Sequence, residues 1–452
     1  MKYKIIYLTA LLSAALLFFS KNILAQTPQS ANKTAFTNVN VIKMTDDGIL
    51  QNQTVLIENS RITNILPADD FSPDGSIRII DGSGKFLIPG LGEMHGHVPP
   101  PIQSPNFPET YLEDVLFLYI SGGITTVRGM LGHPGQLDLK EAVGNGTMIG
   151  PTLYLAGPSF NGNSIHSPEQ AAEVVRLQKK EGWDLLKIHP GLTLEEYRAI
   201  AETAHEVGIT FAGHVPEDVG LVNALELGQK TIDHLDGYTA FMDATNQPVS
   251  ENKLQEAVDL TLKHNTWVVP TQALWETLIG AADYDKLKQY VELKYMPKQV
   301  LSGWYNYIER RIENNPYFSS ESGKIHAENR QKLLKALNDA GANILMGTDA
   351  PQVFSVPGFS IHREIPVLKD AGMSAYDILV SGTRNVGDYL SDKDNFGTIE
   401  EGKRADLILL PGNPLEDLSV LKDLSGVMVR GNWFSREFID QKLAEIEHRY
   451  SD

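Results

Sequence analysis

The sequence predicts an α/β fold, a (β/α)8 TIM-like barrel carrying a small β-sandwich domain assembled from both chain ends. Three observations predict it. Between Pro89 and about Leu390, eight short strand-like runs alternate with helical patterns, the arrangement of repeated βα units around a parallel sheet. The stretches on either side read as β structure alone. No Gly-rich phosphate loop follows the first strand of the alternating region, as an open doubly wound sheet would normally require, so a closed barrel fits better.

Taken in order, residues 1–25 read as a secretory leader. Lys2 and Lys4 precede an apolar run from Ile5 to Phe19, and a short polar segment then ends at Ala25, the expected cleavage point. The alternative is a retained anchor, but the run is shorter than the roughly 20 residues that a spanning helix needs. The expected mature protein is therefore periplasmic or secreted. Residues 26–88 hold FTNVNVIKM, TVLIENSRITNIL and SIRIIDG, broken by DDG, NQ and PDG turn signals, and read as a small antiparallel sheet.

The barrel is expected over 89–392. Its candidate strands are GLGEMHGH, GITTVRG, TLYLAG, DLLKIH, ITFAGH, TIDHL, TWVVPT and NILMGTD. A long, mostly helical stretch at about 283–340 exceeds an ordinary connection and reads as an insertion, either a lid near the mouth or a plain helical pair. Residues 393–452 return to β patterns in ADLILLPG and GVMVRGNWF and close with a helix, completing the sandwich.

Composition narrows the chemistry. With 42% hydrophobic residues in 452, the chain can bury a large core. It has no cysteine, which excludes disulfides, a thiol nucleophile and thiolate metal ligands, so any metal sits on nitrogen and oxygen. The net charge of −18 disfavours a nucleic-acid partner. A small-molecule substrate and no membrane partner after cleavage are expected, and a homo-oligomer stays open.

In EMHGH, His95 and His97 are two apart and face the same way on a strand. Lys187, His214, His234 and Asp349 end later candidate strands. In a parallel barrel all strand C-termini meet at one rim, so the six side chains converge. Singly, each has a structural explanation: a satisfied rim histidine, an N-capping aspartate or a snorkelling lysine. Six in one register do not share it.

These residues, with PGLGEMHGH, GTDA and the tail GTIEEGKRADLILLPGNPLED, resemble the binuclear metal-dependent branch of the amidohydrolase superfamily. The chain is most similar there to prolidase-like Xaa-Pro dipeptidases and imidazolonepropionase-type enzymes. The resemblance implies that His95, His97 and Asp349 hold one divalent ion and that His214 and His234 hold a second. Lys187, carboxylated on Nζ, would bridge them. Zinc is the default, with manganese or cobalt able to substitute. It further implies hydrolysis of an amide or peptide-like C–N bond by a metal-activated hydroxide, with Asp349 as general base and acid.

Substrate contacts are expected among His166, His189, Tyr238 and His362, with Arg128 or Arg363 as partner for a carboxylate. The continuation KIHPGLTLEEY departs from the small Gly-rich loop usual in prolidase-like relatives, which weakens a specifically dipeptidase reading. The alternatives are a mononuclear deaminase, which would not need Lys187, and a non-catalytic binding protein on the same fold.

Overall fold

The computed structural model describes residues 33–101, 107–314 and 321–451. The leader expected at 1–25 lies outside the described residues. Among the described residues no helix is long and apolar enough to cross a membrane.

The chain opens with β1 (Lys33–Ile42), β2 (Ile49–Glu58), β3 (Arg61–Pro67), β4 (Arg78–Asp81) and β5 (Phe86–Pro89). Asn59 and Ser60, at φ 50° and 65°, form the tight turn between β2 and β3, a left-handed pair whose twist suits a two-residue hairpin. β1 pairs antiparallel with β2 but parallel with β4 and then β5 along its other edge. The antiparallel sheet expected here is therefore a mixed one. The chain between β3 and β4 is too long for a hairpin, so it returns to the far edge of β1 running in the same direction.

The central region supplies β6 (Leu91–Gly96), β7 (Ile124–Gly129), β8 (Thr152–Leu155), β9 (Leu185–Ile188), β10 (Thr210–Gly213), β11 (Thr231–Asp233) and β12 (Trp267–Val269). β6, β7 and β8 pair in parallel, as do β9 to β12. A parallel bridge from Ala156 to Leu185 joins the two groups. The eighth expected strand, NILMGTD, carries only a bridge from Val268 to Ile344 rather than a regular strand. It still runs beside β6, because Met94 N donates to Met346 O at 2.9 Å and Asp349 N to His95 O at 2.7 Å. Every residue of β6, β7 and β9 is buried, as expected for parallel strands covered on both faces.

The helices between strands carry local stop and start signals. Thr193 and Glu196 form a reciprocal capping box at the start of helix Leu194–Val207, and Gly208 ends it in the left-handed region. The stretch expected as an insertion at 283–340 is mostly helical, with the short helix Tyr284–Leu287, the turn Val291–Tyr295, helix Lys298–Asn314 and helix Glu321–Asp339. Trp304 and Ile308 of one long helix and Leu333, Leu334 and Leu337 of the other are buried in the same main core. Tyr284, Trp304 and Tyr305 pack their rings on Phe354, in the loop that follows Asp349.

β13 (Leu407–Leu410), β14 (Gly426–Val429) and β15 (Asn432–Ser435) then extend the N-terminal sheet. The order is β15-β14-β13-β5-β1-β2-β3, with β4 also on β1, so both chain ends build one eight-stranded sheet. Its own core includes Phe36 edge-on to Trp433, with ring centroids 5.2 Å apart. Two arginines tie this sheet to the central strands. Arg404 pairs with Asp406 and donates to Thr126, while Arg430 donates to Thr152 and to the carbonyls of Val143 and Gly150.

Candidate metal centre

Four strand ends and the segment after Ile344 bring the donor side chains together. His95 lies in β6 and is 1% exposed, and His97 follows it on the same face, half-buried. Lys187 lies within β9, fully buried. His214 and His234 directly follow β10 and β11. Both His234 (φ 63°) and Asp349 (φ 62°) adopt the left-handed backbone that side chains normally avoid, which turns them off the strand direction. Gly213 makes room for Lys187: at φ 124°, a Cβ there would lie 2.6 Å from Ile188 O and 3.0 Å from Lys187 Cδ.

The geometry is close. His97 Nε2 lies 2.5 Å from Asp349 Oδ1, and His95 Nε2 lies 3.2 Å from Lys187 Nζ and 3.8 Å from Asp349 Oδ1. His234 Nε2 is 3.8 Å from Asp349 Oδ2, and Gln352 Nε2 donates to that same oxygen at 3.0 Å. The rings of His95 and His234 are 4.3 Å apart, and those of His214 and His234 4.6 Å. One donor atom each from His95, His234 and Asp349 fall within 4.8 Å of one another.

Whether this set suits a cation is decided by the far side of each imidazole. His214 Nδ1 lies 2.6 Å from Asp236 Oδ2, His234 Nδ1 lies 2.7 Å from Thr271 Oγ1, and His95 Nδ1 lies 2.8 Å from Asp233 Oδ2. Nδ1 is hydrogen-bonded in His214 and His234, which leaves Nε2 for a ligand, the arrangement by which outer partners orient metal-binding histidines; His95 Nδ1 faces the Asp233 carboxylate without forming a hydrogen bond. Burial, then Lys187 for His95 and His95 for His234, hold both rings well below the ordinary histidine pKa, so they stand neutral. Burial likewise lowers the Lys187 ammonium to about 8, against the pull of Asp233 and Asp349. Neutral imidazoles, a carboxylate and a depressed amine fit divalent cations.

The other expected contacts divide. His189 is half-buried with its ring 5.0 Å from that of His214, at the edge of the cluster. His166 is exposed, and its backbone N–H is held by Gln170 Oε1. Three expectations need correction. Tyr238 is fully buried with its hydroxyl 2.6 Å from Thr261 Oγ1, a packing bond behind the site rather than a substrate contact. Arg128 is fully buried and binds both oxygens of Asp233 at 3.1 Å, so it is the counter-ion of a carboxylate inside the protein. Arg363 forks onto Glu292 and stacks 3.7 Å from the Tyr290 ring centroid, which ties the helical stretch at 283–340 down instead of facing a substrate. His362, on helix Ile361–Asp370, is pushed down to about 4 by burial, then by Lys422 and Arg363.

Sequence reasoning missed Asp233, Asp236 and Thr271, the partners of the histidines. It also missed Glu93, a buried carboxylate that accepts from His95 N and Thr348 N and receives the Thr348 hydroxyl. The acids flanking His234 in TIDHLD were visible, but nothing in the spacing said that one served His95 and another His214.

Residues 86–434 match the family model described as "Amidohydrolase family". Among curated proteins, the ochratoxinase of Aspergillus niger is 20% identical over 358 residues, 68% of this chain, and the match spans 64% of that enzyme's length. The imidazolonepropionase of Idiomarina loihiensis is 38% identical over 64 residues, 14% of this chain and 16% of that one. Among solved structures, a Xaa-Pro dipeptidase with methionine bound in its active site superposes with a TM-score of 0.66 at 23% identity, covering 89% of this chain and 100% of that one. At that identity the likeness is one of fold.

Proposed function

The chain belongs to the amidohydrolase family, and on that premise we propose that it is a metal-dependent hydrolase cleaving a C–N bond in a small amide or peptide-like substrate, on a (β/α)8 barrel. The observation that carries this reading is the convergence of His95, His97, His214, His234, Lys187 and Asp349, with Nδ1 of His214 and of His234 hydrogen-bonded elsewhere. His95, His97 and Asp349 would hold one divalent cation and His214 and His234 a second, with Lys187 between them as a carbamate. Bound there, zinc or a similar cation supplies Lewis-acid activation of water and of the scissile carbonyl.

The protein's own groups do the rest. Asp349 is the proton carrier: it takes the proton of the attacking water and delivers it to the departing nitrogen. Gln352 Nε2 holds Asp349 Oδ2 at 3.0 Å, so the carboxylate keeps one orientation through both transfers. Asp236 and Thr271 keep His214 and His234 in the tautomer that presents Nε2, and the Asp233 carboxylate faces His95 Nδ1. Depressed basicity makes Lys187 a competent nucleophile toward CO2, the step that would give the carbamate.

Asp349→Asn tests the reading. It should retain fold and most bound metal while turnover on amide substrates falls by about three orders of magnitude or more. Near wild-type turnover would remove Asp349 from the mechanism. Two metal equivalents per chain support the bridged centre, whereas one equivalent with activity on aminated rings would replace it by a deaminase. Export, proposed from the N-terminal run, is tested by fractionation of the producing cell.

A further inference from the structure

The two arginines expected to receive a substrate carboxylate are engaged by Asp233 and Glu292, so a substrate anion must find other donors. Unused donors stand on the turn that follows β12. Thr271 holds His234, and helix Gln272–Leu278 begins at the next residue. Gln272 is 1% exposed. Its Oε1 accepts from Arg330 Nε at 2.9 Å, while its Nε2 is buried without an acceptor. Trp275, one helical turn on, has its ring centroid 6.0 Å from that of His234, and its Nε1 is also buried without an acceptor. Trp275 as a residue is half-buried, although the two donor atoms themselves are shielded.

Behind them lies Arg330, 2% exposed, with its guanidinium carbon 4.9 Å from the Trp275 ring centroid. Besides Gln272, it donates to the carbonyls of His234 and Pro270 at 2.5 and 3.0 Å. These three partners are neutral oxygens, while Asp236, Glu364 and Glu276 also act on the guanidinium; Glu364 holds the N–H groups of Gln272 and Ala273 at 2.8 Å, and its buried carboxyl is raised to about 7. Native proteins keep few buried donors unpaired, and the exceptions call for a partner that arrives from outside. Two N–H groups one turn apart, beside a histidine of the centre and in front of a buried guanidinium, suit a carboxylate, which accepts several such bonds and is held most strongly where charge assists.

We infer that Gln272 Nε2 and Trp275 Nε1, backed by Arg330, form the subsite for a carboxylate on the substrate, which makes that substrate an N-acylated amino acid or dipeptide rather than a neutral or cyclic amide. The inference rests on the amide-hydrolase reading above. The metal-reconstituted full chain is given N-acetyl-L-amino acids and the matching N-acetyl-L-amino acid amides, and the released amine is measured. Free acids should exceed their amides about 100-fold in kcat/KM, because a site built around paired donors rejects the analogue lacking the charge.

Gln272→Glu keeps an oxygen for Arg330 but replaces the donor by a carboxylate. It should cut kcat/KM for the acids at least about 30-fold, mainly through KM, and leave the amides within about threefold. Trp275→Phe keeps the ring and its stacking on Arg330, and should lower the acids about fivefold with the amides unchanged, so the inference stays testable if Gln272→Glu does not fold. Amides cleaved as fast as acids by the wild type, or variants that slow both series equally, would overturn the subsite alone. Cleavage of neither series by protein holding its metals would overturn the amide-hydrolase reading together with the subsite.

Discussion

Beneath the histidines, Arg128 and Asp233 form a fully buried ion pair, and separating them is the most direct test of how the centre is supported. Arg128 donates to the two Asp233 oxygens at 3.1 Å, to Met94 O, to Thr231 Oγ1 and to the Tyr389 hydroxyl. Asp233 also accepts from Thr231 Oγ1 at 2.6 Å and faces His95 Nδ1. Burial alone would lower the Arg128 pKa, yet the carboxylate carries it above the ordinary arginine value.

Removing one partner strands the other charge in a low dielectric, at a cost of about 3–5 kcal/mol. Arg128→Met and Asp233→Leu should each show that loss. The double variant should recover much of it, with a coupling of about 2 kcal/mol or more, because no charge is then left buried. Urea unfolding followed by tryptophan fluorescence, with excess chelator to exclude metal binding, measures all four proteins. Single variants each within about 1 kcal/mol of wild type, with additive effects in the double, would refute the pair as a buried, coupled support.

Further outcomes follow from the same geometry. Asp233→Asn should weaken metal binding about 10- to 100-fold, read by competition with a chromophoric chelator, because His95 loses the carboxylate charge that faces its Nδ1. Lys187→Arg should reduce bound metal from two equivalents to at most one by elemental analysis; two retained equivalents would remove Lys187 as the bridge. Gly213→Ala, forced into a left-handed backbone with its Cβ against Ile188 O, should destabilise by about 2 kcal/mol or more in thermal melts and also lower metal content. His326 and His362 are both held down to about 4, chiefly by burial, below the ordinary 6.5. Between those values the unfolded chain binds the protons, so their contribution to stability is full above 6.5 and is lost as pH falls toward 4. The His326→Asn/His362→Asn variant should show a flatter decline of melting temperature over that range, and an unchanged slope would contradict the assignment.

How much was legible in the chain differs from feature to feature. The strand ends carrying His95, His97, Lys187, His214, His234 and Asp349 were readable because a donor that terminates an apolar run keeps its position whatever lies around it. The alternation of β and helical patterns was readable for the same local reason. The mixed sheet was not, since the parallel pairing of β4 and β5 with β1 depends on where a loop returns in space. Nor was the packing of the 283–340 stretch, whose helices Lys298–Asn314 and Glu321–Asp339 both bury residues in the main core.

The arginines make the contrast sharpest. By itself the sequence determined which residue types end the strand-like runs and the chemistry they can support, because strand periodicity and composition are properties of short segments. Only the tertiary structure decided that Arg128 answers Asp233, that Arg363 answers Glu292, and that Gln272 and Trp275 keep donors without acceptors. A charge or an N–H group takes its meaning from what lies within about 3 Å of it. Those neighbours come from segments far apart in the chain, and only folding brings them together.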